Sequence, residues 1–367
     1  GHDYVDLALL TDGLRAEREQ GITIDVAYRS FVTPRRRFQL ADAPGHVQYT
    51  RNMVTGASTA DVAVILVDAR LGVIEQTRRH SYIVSILELP HVVYAINKMD
   101  LVDFAESRYD EISRELDELT TRLGIRDAKA IPISALKGDN VVEKTDAMTW
   151  YAGSTLLEHL EKIELSGDRN LDDRRFAVQW VVRPMTDEFH DYRGYAGQVA
   201  SGVWRAGDEV VVLPSGLRSR VASVEPHDEA LPGESVTILL EDDVDVSRGD
   251  MLADPERPAI TARELTANVC WMTDRPLEER SRLLIKQTTR TVTARVEEIV
   301  SVVDIATLED QASPGKMELN DLGVVKLRLA EPLAVDLYAQ NRSTGAFILI
   351  DEATNDTVGA GMVIEAQ

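Results

Sequence analysis

Three short apolar runs in the first half of the chain limit the folds that are open to it. Residues 62–67, 91–96 and 130–133 are continuous stretches rich in valine, isoleucine and alanine, which is typical of strands buried on both faces of a sheet. Residues 75–87 and 107–123 lie between them, and the second stretch places apolar residues three or four apart, as an amphipathic helix does. Strands that alternate with helices predict a parallel α/β sheet.

Three short polar or small-residue motifs each follow the end of a strand-like run. Asp42-Ala43-Pro44-Gly45 follows the short run 38–41, Asn97-Lys98-Met99-Asp100 follows the run 91–96, and Ser134-Ala135-Leu136 follows the run 130–133. Each motif alone is a weak signal, and an ordinary turn after a strand explains it as well. In this order, the three together predict a guanine-nucleotide pocket.

The second and third motifs have the chemistry to recognise the base. The Asp100 carboxylate can accept two parallel hydrogen bonds from the N1–H and the exocyclic amine of guanine, which adenine does not offer. The Lys98 stem can lie over the base, and Asn97 can tie neighbouring loops together. The small residues around Ser134 leave room for a backbone N–H to reach the guanine oxygen.

The first motif and a loop before it have the chemistry to hold phosphate and Mg²⁺. Asp42 can hold a water of the Mg²⁺ shell, and Gly45 lets its backbone N–H approach a terminal phosphate. Thr23, in the loop 18–23, is a second candidate ligand of Mg²⁺, although a charged surface loop explains it equally. His46 is a candidate to orient the attacking water, and a purely structural histidine is the alternative.

Composition excludes several classes of protein. The chain has 40 basic and 62 acidic residues and a net charge of −22, which argues against a general nucleic-acid binder. Its single cysteine, Cys270, fits a reducing compartment, and we expect a cytoplasmic protein. No apolar run approaches membrane-spanning length, so we expect no membrane association.

The second half of the chain predicts a different architecture. From residue 175 onward β-branched residues dominate, and turn signals recur about every ten residues, as at 201–202, 206–208, 214–216 and 247–250. This pattern predicts small antiparallel barrels, with a linker at 253–258. We therefore expect a nucleotide-binding domain at 1–168 and barrels at 172–256 and 260–367.

These motifs resemble those of the translation-factor class of GTPases, and in particular the GTPase subunit of bacterial sulfate adenylyltransferase. The resemblance covers essentially the whole chain. The stretches that carry it are 6–21, 48–58, 193–197, 286–290 and, most specifically, 341–362.

The resemblance implies an α/β GTPase domain of the P-loop NTPase type, with a mostly parallel sheet, followed by two antiparallel β-barrels. It implies GTP or GDP and Mg²⁺ as cofactors, and a smaller partner subunit that makes adenosine 5′-phosphosulfate and pyrophosphate from ATP and sulfate. In some bacteria the GTPase is fused at its C-terminus to an adenylylsulfate kinase. Such a kinase would lie outside this sequence.

The sequence departs from the family pattern at two places. Ala43 stands where the family has threonine, and we expect it to be tolerated because Asp42 and the Gly45 backbone carry the chemistry. The phosphate loop G-x-x-x-x-G-K-[ST] is absent. We expect it to lie upstream of Gly1, and this sequence alone to be inactive. An elongation factor that delivers aminoacyl-tRNA and a scaffold that has lost its phosphate loop are the alternative functions.

Overall fold

The computed structural model describes residues 25–46, 50–165, 169–184 and 192–367. These residues form two compact units, one that runs to Leu165 and includes Asp304–Glu309, and a second made of the remainder. Two β-barrels share the second unit. The boundaries 1–168, 172–256 and 260–367 therefore remain predictions.

The first unit contains a parallel three-stranded sheet and a separate antiparallel hairpin. The hairpin is formed by β1 (Ala27–Val32) and β2 (Arg37–Asp42). The sheet has the order β3 (Val62–Asp68), β4 (His91–Asn97) and β5 (Asp127–Pro132). The parallel arrangement predicted for the three apolar runs is thus confirmed.

Within the part of the chain that the structure describes, four α-helices connect and follow these strands. They are α1 (Thr50–Ala57), α2 (Glu75–Ile86), α3 (Glu106–Leu123) and α4 (Leu156–Lys162), with short 3₁₀ turns at Met99–Val102 and Asp146–Met148. In α3, Ile112, Leu116 and Leu119 are buried, because they share one face of the helix. Gly124 ends this helix in the left-handed conformation that glycine adopts without strain. None of the described helices is long and apolar enough to cross a membrane.

Burial differs between two of the central strands. All five residues from Val92 to Ile96 in β4 are buried, as predicted for a strand covered on both faces. The same prediction is wrong for β3, in which Val64 is 40% exposed and Leu66 is 64% exposed. Among the described residues β3 pairs only with β4 and therefore lies at the edge of the described sheet, whereas β4 is covered by a strand on each side.

The second unit begins with a closed six-stranded barrel. Its strands follow the order β10 (Leu217–Glu225), β12 (Ser235–Leu240), β7 (Gly194–Ser201), β6 (Arg175–Val182), β13 (Met251–Ala253) and β9 (Glu209–Leu213). The short strands β8 (Trp204–Arg205) and β11 (Glu229–Ala230) pair beside it. The interior is filled by alternating side chains, including Phe176, Tyr195 and Trp204.

A second barrel follows the predicted linker. Its ring consists of β16 (Arg282–Gln287), β21 (Ala346–Ile350), β22 (Thr357–Ala366), β14 (Ile260–Trp271), β20 (Leu322–Val335) and β17 (Arg290–Asp304), and pairing of β16 with β17 closes it. The remaining strands are β18 (Glu309–Ala312), which pairs with β17, and the pair β15 (Leu277–Glu278) and β19 (Lys316–Met317). The short helix α5 (Arg342–Gly345) precedes β21. The two predicted antiparallel barrels are therefore confirmed.

The two barrels share a small apolar cluster and a buried ion pair. The cluster is formed by Val211, Leu213, Met251, Ala253, Ala259 and Ala334. Arg175 donates from Nε and Nη2 to the two carboxylate oxygens of Asp336, each at 2.9 Å. Thr344 Oγ1 donates to the same carboxylate at 2.6 Å, and Asn341 Nδ2 donates to Ser201 Oγ at 2.7 Å. Polar side chains thus satisfy one another across the barrel contact.

The barrel stretches that carry the family resemblance have structural roles. Gly197 faces the Ala177 carbonyl so closely that a Cβ would overlap it. Gln287 is buried and donates to the Thr344 carbonyl, and Asn341 caps α5 by accepting from the Ser343 and Thr344 N–H groups. These stretches are explained by packing and hydrogen bonding within the barrel unit.

Candidate functional site

The carboxyl ends of β3, β4 and β5 place the candidate base-binding residues at one edge of the sheet. Asp68, the last residue of β3, lies in register with Asn97, the last residue of β4. The next strand pairs Ile96 with Pro132, so Ser134 follows two residues beyond that pair. Because all three strands run in the same direction, their following loops meet on the same side of the sheet.

Asn97 ties two of these loops together. Its side-chain Oδ1 accepts from the Lys98 backbone N–H at 2.7 Å and from the Ala135 backbone N–H at 2.9 Å. One amide oxygen therefore links the loop after β4 to the loop after β5. This is the loop-tying role that the sequence predicts for Asn97.

Asp100 is held by the other loop. Ser134, which is fully buried, donates from Oγ to Asp100 Oδ1 at 2.8 Å. The neighbouring Met99 is also fully buried, and its N–H donates to the Ile133 carbonyl at 3.2 Å. A hydrogen bond to one carboxylate oxygen fixes the orientation of the carboxylate, which two parallel bonds to a base require.

Lys98 is exposed at this edge and is paired with Asp68. Its Nζ lies 2.8 Å from Asp68 Oδ2. The same carboxylate also accepts from Arg70, through Nε at 2.9 Å and Nη2 at 2.6 Å. These bonds, first from Arg70 and then from Lys98, hold the pKa of Asp68 well below its usual range against the opposing effect of partial burial. Asp68 is therefore a carboxylate anion throughout the physiological pH range.

The loops beyond the two motifs are supported by further contacts. Asp103 and Phe104 both adopt left-handed backbone angles, and the Phe104 carbonyl accepts from Trp150 Nε1 at 3.0 Å. Lys137 Nζ lies 5.3 Å from the centre of the Phe104 ring, within range of a cation–π contact. The buried Asn140 side chain donates to the Pro132 carbonyl. Ala135 and Leu136 are exposed on the same loop.

The first motif follows β2 as predicted. Asp42 is the last residue of the strand and is half-buried, as is Ala43. Pro44 is buried, whereas Gly45 and His46 are exposed. Among the described residues β2 pairs only with β1, so this motif lies on the hairpin and the two base motifs lie on the parallel sheet.

His80 contacts this motif, although sequence reasoning assigned it no role. Its ring donates to the backbone of Gly45, and its Cε1 lies 3.8 Å from the place that a Gly45 Cβ would occupy. Burial lowers the pKa of His80 to about 4, against the smaller opposing effect of the Gly45 hydrogen bond. The ring is therefore neutral at pH 7 and connects α2 to the turn that contains Gly45.

The metal-binding roles of Thr23 and Asp42 stay predictions. Thr23, the loop 18–23 and the phosphate loop predicted upstream of Gly1 lie outside the described residues. Within the described ranges no cluster of three or more His, Cys, Asp or Glu side chains could hold a metal ion. Mg²⁺ in nucleotide sites is usually held by one or two protein ligands together with phosphate oxygens and water, and Asp42 fits that kind of site.

The side chains that sequence reasoning missed were Asp68, Arg70, His80 and Asn140. Asp68 did have a signal, since it is a carboxylate directly after a buried apolar run, as Asp42 and Asn97 are polar residues after theirs. His80 had none, because its partner Gly45 lies on a different element and only the folded chain brings the two together.

Two family comparisons cover most of the chain. Residues 2–164 match the elongation factor Tu GTP binding domain, and residues 264–364 match the GTP-eEF1A C-terminal domain-like family. Among solved structures, a crystal structure of sup35 complexed with GMPPNP aligns over 98% of this chain and 89% of that chain, with a TM-score of 0.50 and 22% sequence identity. This structural likeness supports the fold.

Two relatives are similar over almost the whole chain. The "Bifunctional enzyme CysN/CysC" of Mycobacterium tuberculosis (strain CDC 1551 / Oshkosh) is 53% identical over 369 residues, which cover 99% of this chain and 60% of that protein. The "Sulfate adenylyltransferase subunit 1" of Cellvibrio japonicus is 50% identical over 367 residues, which cover 99% of this chain and 77% of that protein. The chain thus spans less than two thirds of the first relative.

Proposed function

Because the chain belongs to the family of sulfate adenylyltransferase subunit 1, we propose that it binds and hydrolyses GTP as the regulatory part of a sulfate adenylyltransferase. In this proposal a smaller subunit carries out the reaction of ATP with sulfate to give adenosine 5′-phosphosulfate and pyrophosphate. GTP hydrolysis by this chain drives that reaction forward, because the phosphosulfate linkage is less stable than the anhydride it replaces.

The proposal depends on the hydrogen bonds that join the loops after β4 and β5. Asn97 links the loop after β4 to the loop after β5, and Ser134 orients the Asp100 carboxylate. A fixed carboxylate at this edge can accept from both N–H groups of guanine, and it repels the N1 acceptor that adenine presents in place of N1–H. The hydrogen bonds therefore support guanine as the base.

The turn after β2 supports a role at the phosphates. Asp42 would hold Mg²⁺ through water, with Thr23 as the second protein ligand, and the exposed Gly45 backbone would approach the terminal phosphate. Bound Mg²⁺ would neutralise phosphate charge during hydrolysis. His46 is exposed directly after Gly45, and we assign it the orientation of the attacking water.

The partner and the place of action belong to the same proposal. The printed name "subunit 1" of a 50% identical relative implies a second subunit. A cytoplasmic location agrees with the single cysteine of the chain. Fusion to an adenylylsulfate kinase stays a prediction, since the kinase would lie outside this sequence.

The proposal is tested on the full-length protein that carries this sequence, mixed with its adenylyltransferase subunit. We expect the rate of GTP hydrolysis to rise when the partner, ATP and sulfate are all present, and the yield of adenosine 5′-phosphosulfate to depend on GTP. Asp100→Ala should abolish the preference for GTP over ATP as the driving nucleotide. Asp61→Asn is the control, because Asp61 is exposed directly before β3 and its substitution removes the same single negative charge.

Two outcomes would contradict the proposal. The first is a rate of GTP hydrolysis that is the same with and without the partner and its substrates. The second is tight, GTP-dependent binding of aminoacyl-tRNA, which would assign the chain to the elongation factors instead.

A further inference from the structure

Asp68 lies at the edge of the parallel sheet where the candidate base-binding residues meet. None of the predicted motifs contains it. It ends β3 in register with Asn97, and the Ala69 N–H donates to the Asn97 carbonyl at 2.9 Å. The strand therefore places its carboxylate directly beside the start of the loop that holds Lys98 and Asp100. Asp68 thus brings a charged side chain from a third strand to the side of the sheet where Asn97, Lys98 and Asp100 lie.

The contacts of Asp68 are unusually complete for a surface aspartate. Oδ1 accepts from the Arg70 N–H at 3.0 Å and from Arg70 Nε, while Oδ2 accepts from Arg70 Nη2 and from Lys98 Nζ. The side chain of Asp68 is only 16% exposed, whereas those of Lys98 and Arg70 are 45% and 48% exposed. The carboxylate is thus the more buried and more fully bonded member of the pair, and Lys98 is the more exposed one.

Lys98 needs such a restraint. Its backbone has a φ of 65°, the left-handed region that costs a residue other than glycine free energy. Its long side chain has four rotatable bonds, so it would lose conformational entropy when it lies against a ligand. A partner that already holds the ammonium group reduces that loss.

We propose that Asp68 is a positioning residue for guanine-nucleotide binding, which holds the Lys98 ammonium group so that the lysine stem is preset over the base. The inference rests on the proposed function, since it requires a guanine nucleotide at this edge. It assigns Asp68 a role distinct from that of Asp100, because Asp100 recognises the N–H groups of the base and Asp68 acts only through Lys98. Arg70 is assigned to hold the Asp68 carboxylate in place.

The test compares the affinities of the full-length protein for GDP and IDP, measured by competition with a fluorescent N-methylanthraniloyl GDP. Asp68→Asn keeps the shape of the side chain and removes its charge. We expect it to weaken GDP and IDP equally, by about fivefold, the worth of a partly buried ion pair. The ratio of the two affinities should not change, since IDP lacks only the exocyclic amine that Asp100 would recognise.

A double-mutant cycle tests whether Asp68 affects nucleotide affinity only through Lys98. Lys98→Met keeps an unbranched apolar stem and removes the ammonium group, so Asp68→Asn should cause no further loss in that background. Asp61→Asn, directly before the same strand, is the control for loss of charge and should leave affinity unchanged. Arg70→Ala should weaken GDP less than twofold, because Lys98 retains its partner.

A second measurement needs no nucleotide. Mild acylation of lysines, mapped by mass spectrometry, should modify Lys98 faster in Asp68→Asn than in the wild type, with Lys137 on the neighbouring loop as the internal reference. Acylation of Lys98 should not change in Asp61→Asn.

Several results would overturn the inference. They are an unchanged affinity in Asp68→Asn, a further fivefold loss in the Lys98→Met background, an equal loss in Arg70→Ala, or an unchanged rate of Lys98 acylation. None of these four results contradicts the proposed function if the wild type binds GDP more tightly than ADP. A wild type without that preference would overturn the proposed function, and with it any positioning role for Asp68.

Discussion

Removal of the Asp336 carboxylate should destabilise the two-barrel unit more than any change at its surface. Arg175 and Asp336 form two parallel hydrogen bonds of 2.9 Å, and their side chains are only 4% and 7% exposed. In Asp336→Ala the Arg175 guanidinium stays buried without its anion. The Thr344 hydroxyl also loses its acceptor.

The magnitude follows from the burial of the pair. Breaking a buried ion pair by removal of one partner costs about 3–5 kcal/mol, because an uncompensated charge remains in a medium of low polarity. The barrel unit has roughly 200 residues, and for that size 1 kcal/mol shifts the Tm by about 2–4 °C. We therefore expect Asp336→Ala to unfold about 10 °C below the wild type.

A double variant separates the charge from the packing. Arg175→Met with Asp336→Leu replaces both ions by apolar side chains of similar size, and such replacements are often neutral or stabilising. We expect the double variant to be more stable than Asp336→Ala. Arg220→Ala is the control, since Arg220 forms an exposed pair with Glu209 and an exposed pair contributes at most about 1 kcal/mol.

The assay is thermal unfolding followed by circular dichroism, together with urea denaturation followed by tryptophan fluorescence. The reasoning would be refuted if Asp336→Ala lost less than about 1 kcal/mol, the range of an exposed pair. It would also be refuted if the double variant were as unstable as the single one, because the loss would then come from packing alone.

Three further predictions concern single hydrogen bonds and close contacts. Ser134→Ala should weaken GDP binding by about fivefold, since Asp100 loses a hydrogen bond worth about 1 kcal/mol. An unchanged GDP affinity in a competition assay would contradict the role of Ser134. Because the pKa of His80 is about 4 in the folded protein, below the value of about 6.5 in the unfolded chain, stability should fall as pH drops from 6.5 to 4. His80→Gln should reduce that fall in stability by about 1–3 kcal/mol. The prediction would be wrong if urea titrations gave the same change of unfolding free energy with pH for both proteins. Gly197→Ala should destabilise the first barrel by about 1–3 kcal/mol because the new Cβ overlaps the Ala177 carbonyl. In Gly56→Ala the new Cβ meets only ordinary contacts, so this control variant should keep its stability. Equal losses of thermal stability in the two variants would contradict this prediction.

Local patterns in the sequence predicted the elements well. The helical spacing of Ile112, Leu116 and Leu119 gave α3 and its buried face, and the turn signals at 206–208 and 214–216 separate barrel strands as expected. These features depend on residues a few positions apart, which share a helix face or a turn whatever the rest of the chain does. Burial of β3 was the exception, because it depends on which neighbours cover the strand.

The base motifs were found from chemistry and position. Asn97, Asp100 and Ser134 each follow an apolar run, and the folded chain joins them by hydrogen bonds at one sheet edge. The roles of Asp42, Thr23 and His46 remain predictions. The family resemblance found in the barrels was correct, but the residues that carry it serve packing, as Gly197 and Asn341 do.

Periodicity was thus sufficient to predict an α/β domain followed by two barrels, and strand-end chemistry predicted which loops meet at one edge of the sheet. They could not show that Lys98 pairs with Asp68, that His80 donates to Gly45, or that Arg175 pairs with Asp336. These partners lie on different elements, and their distances depend on strand register and barrel closure. The sequence determines the charge and hydrogen-bonding capacity of each side chain, whereas the partner that each side chain contacts depends on how the whole chain packs.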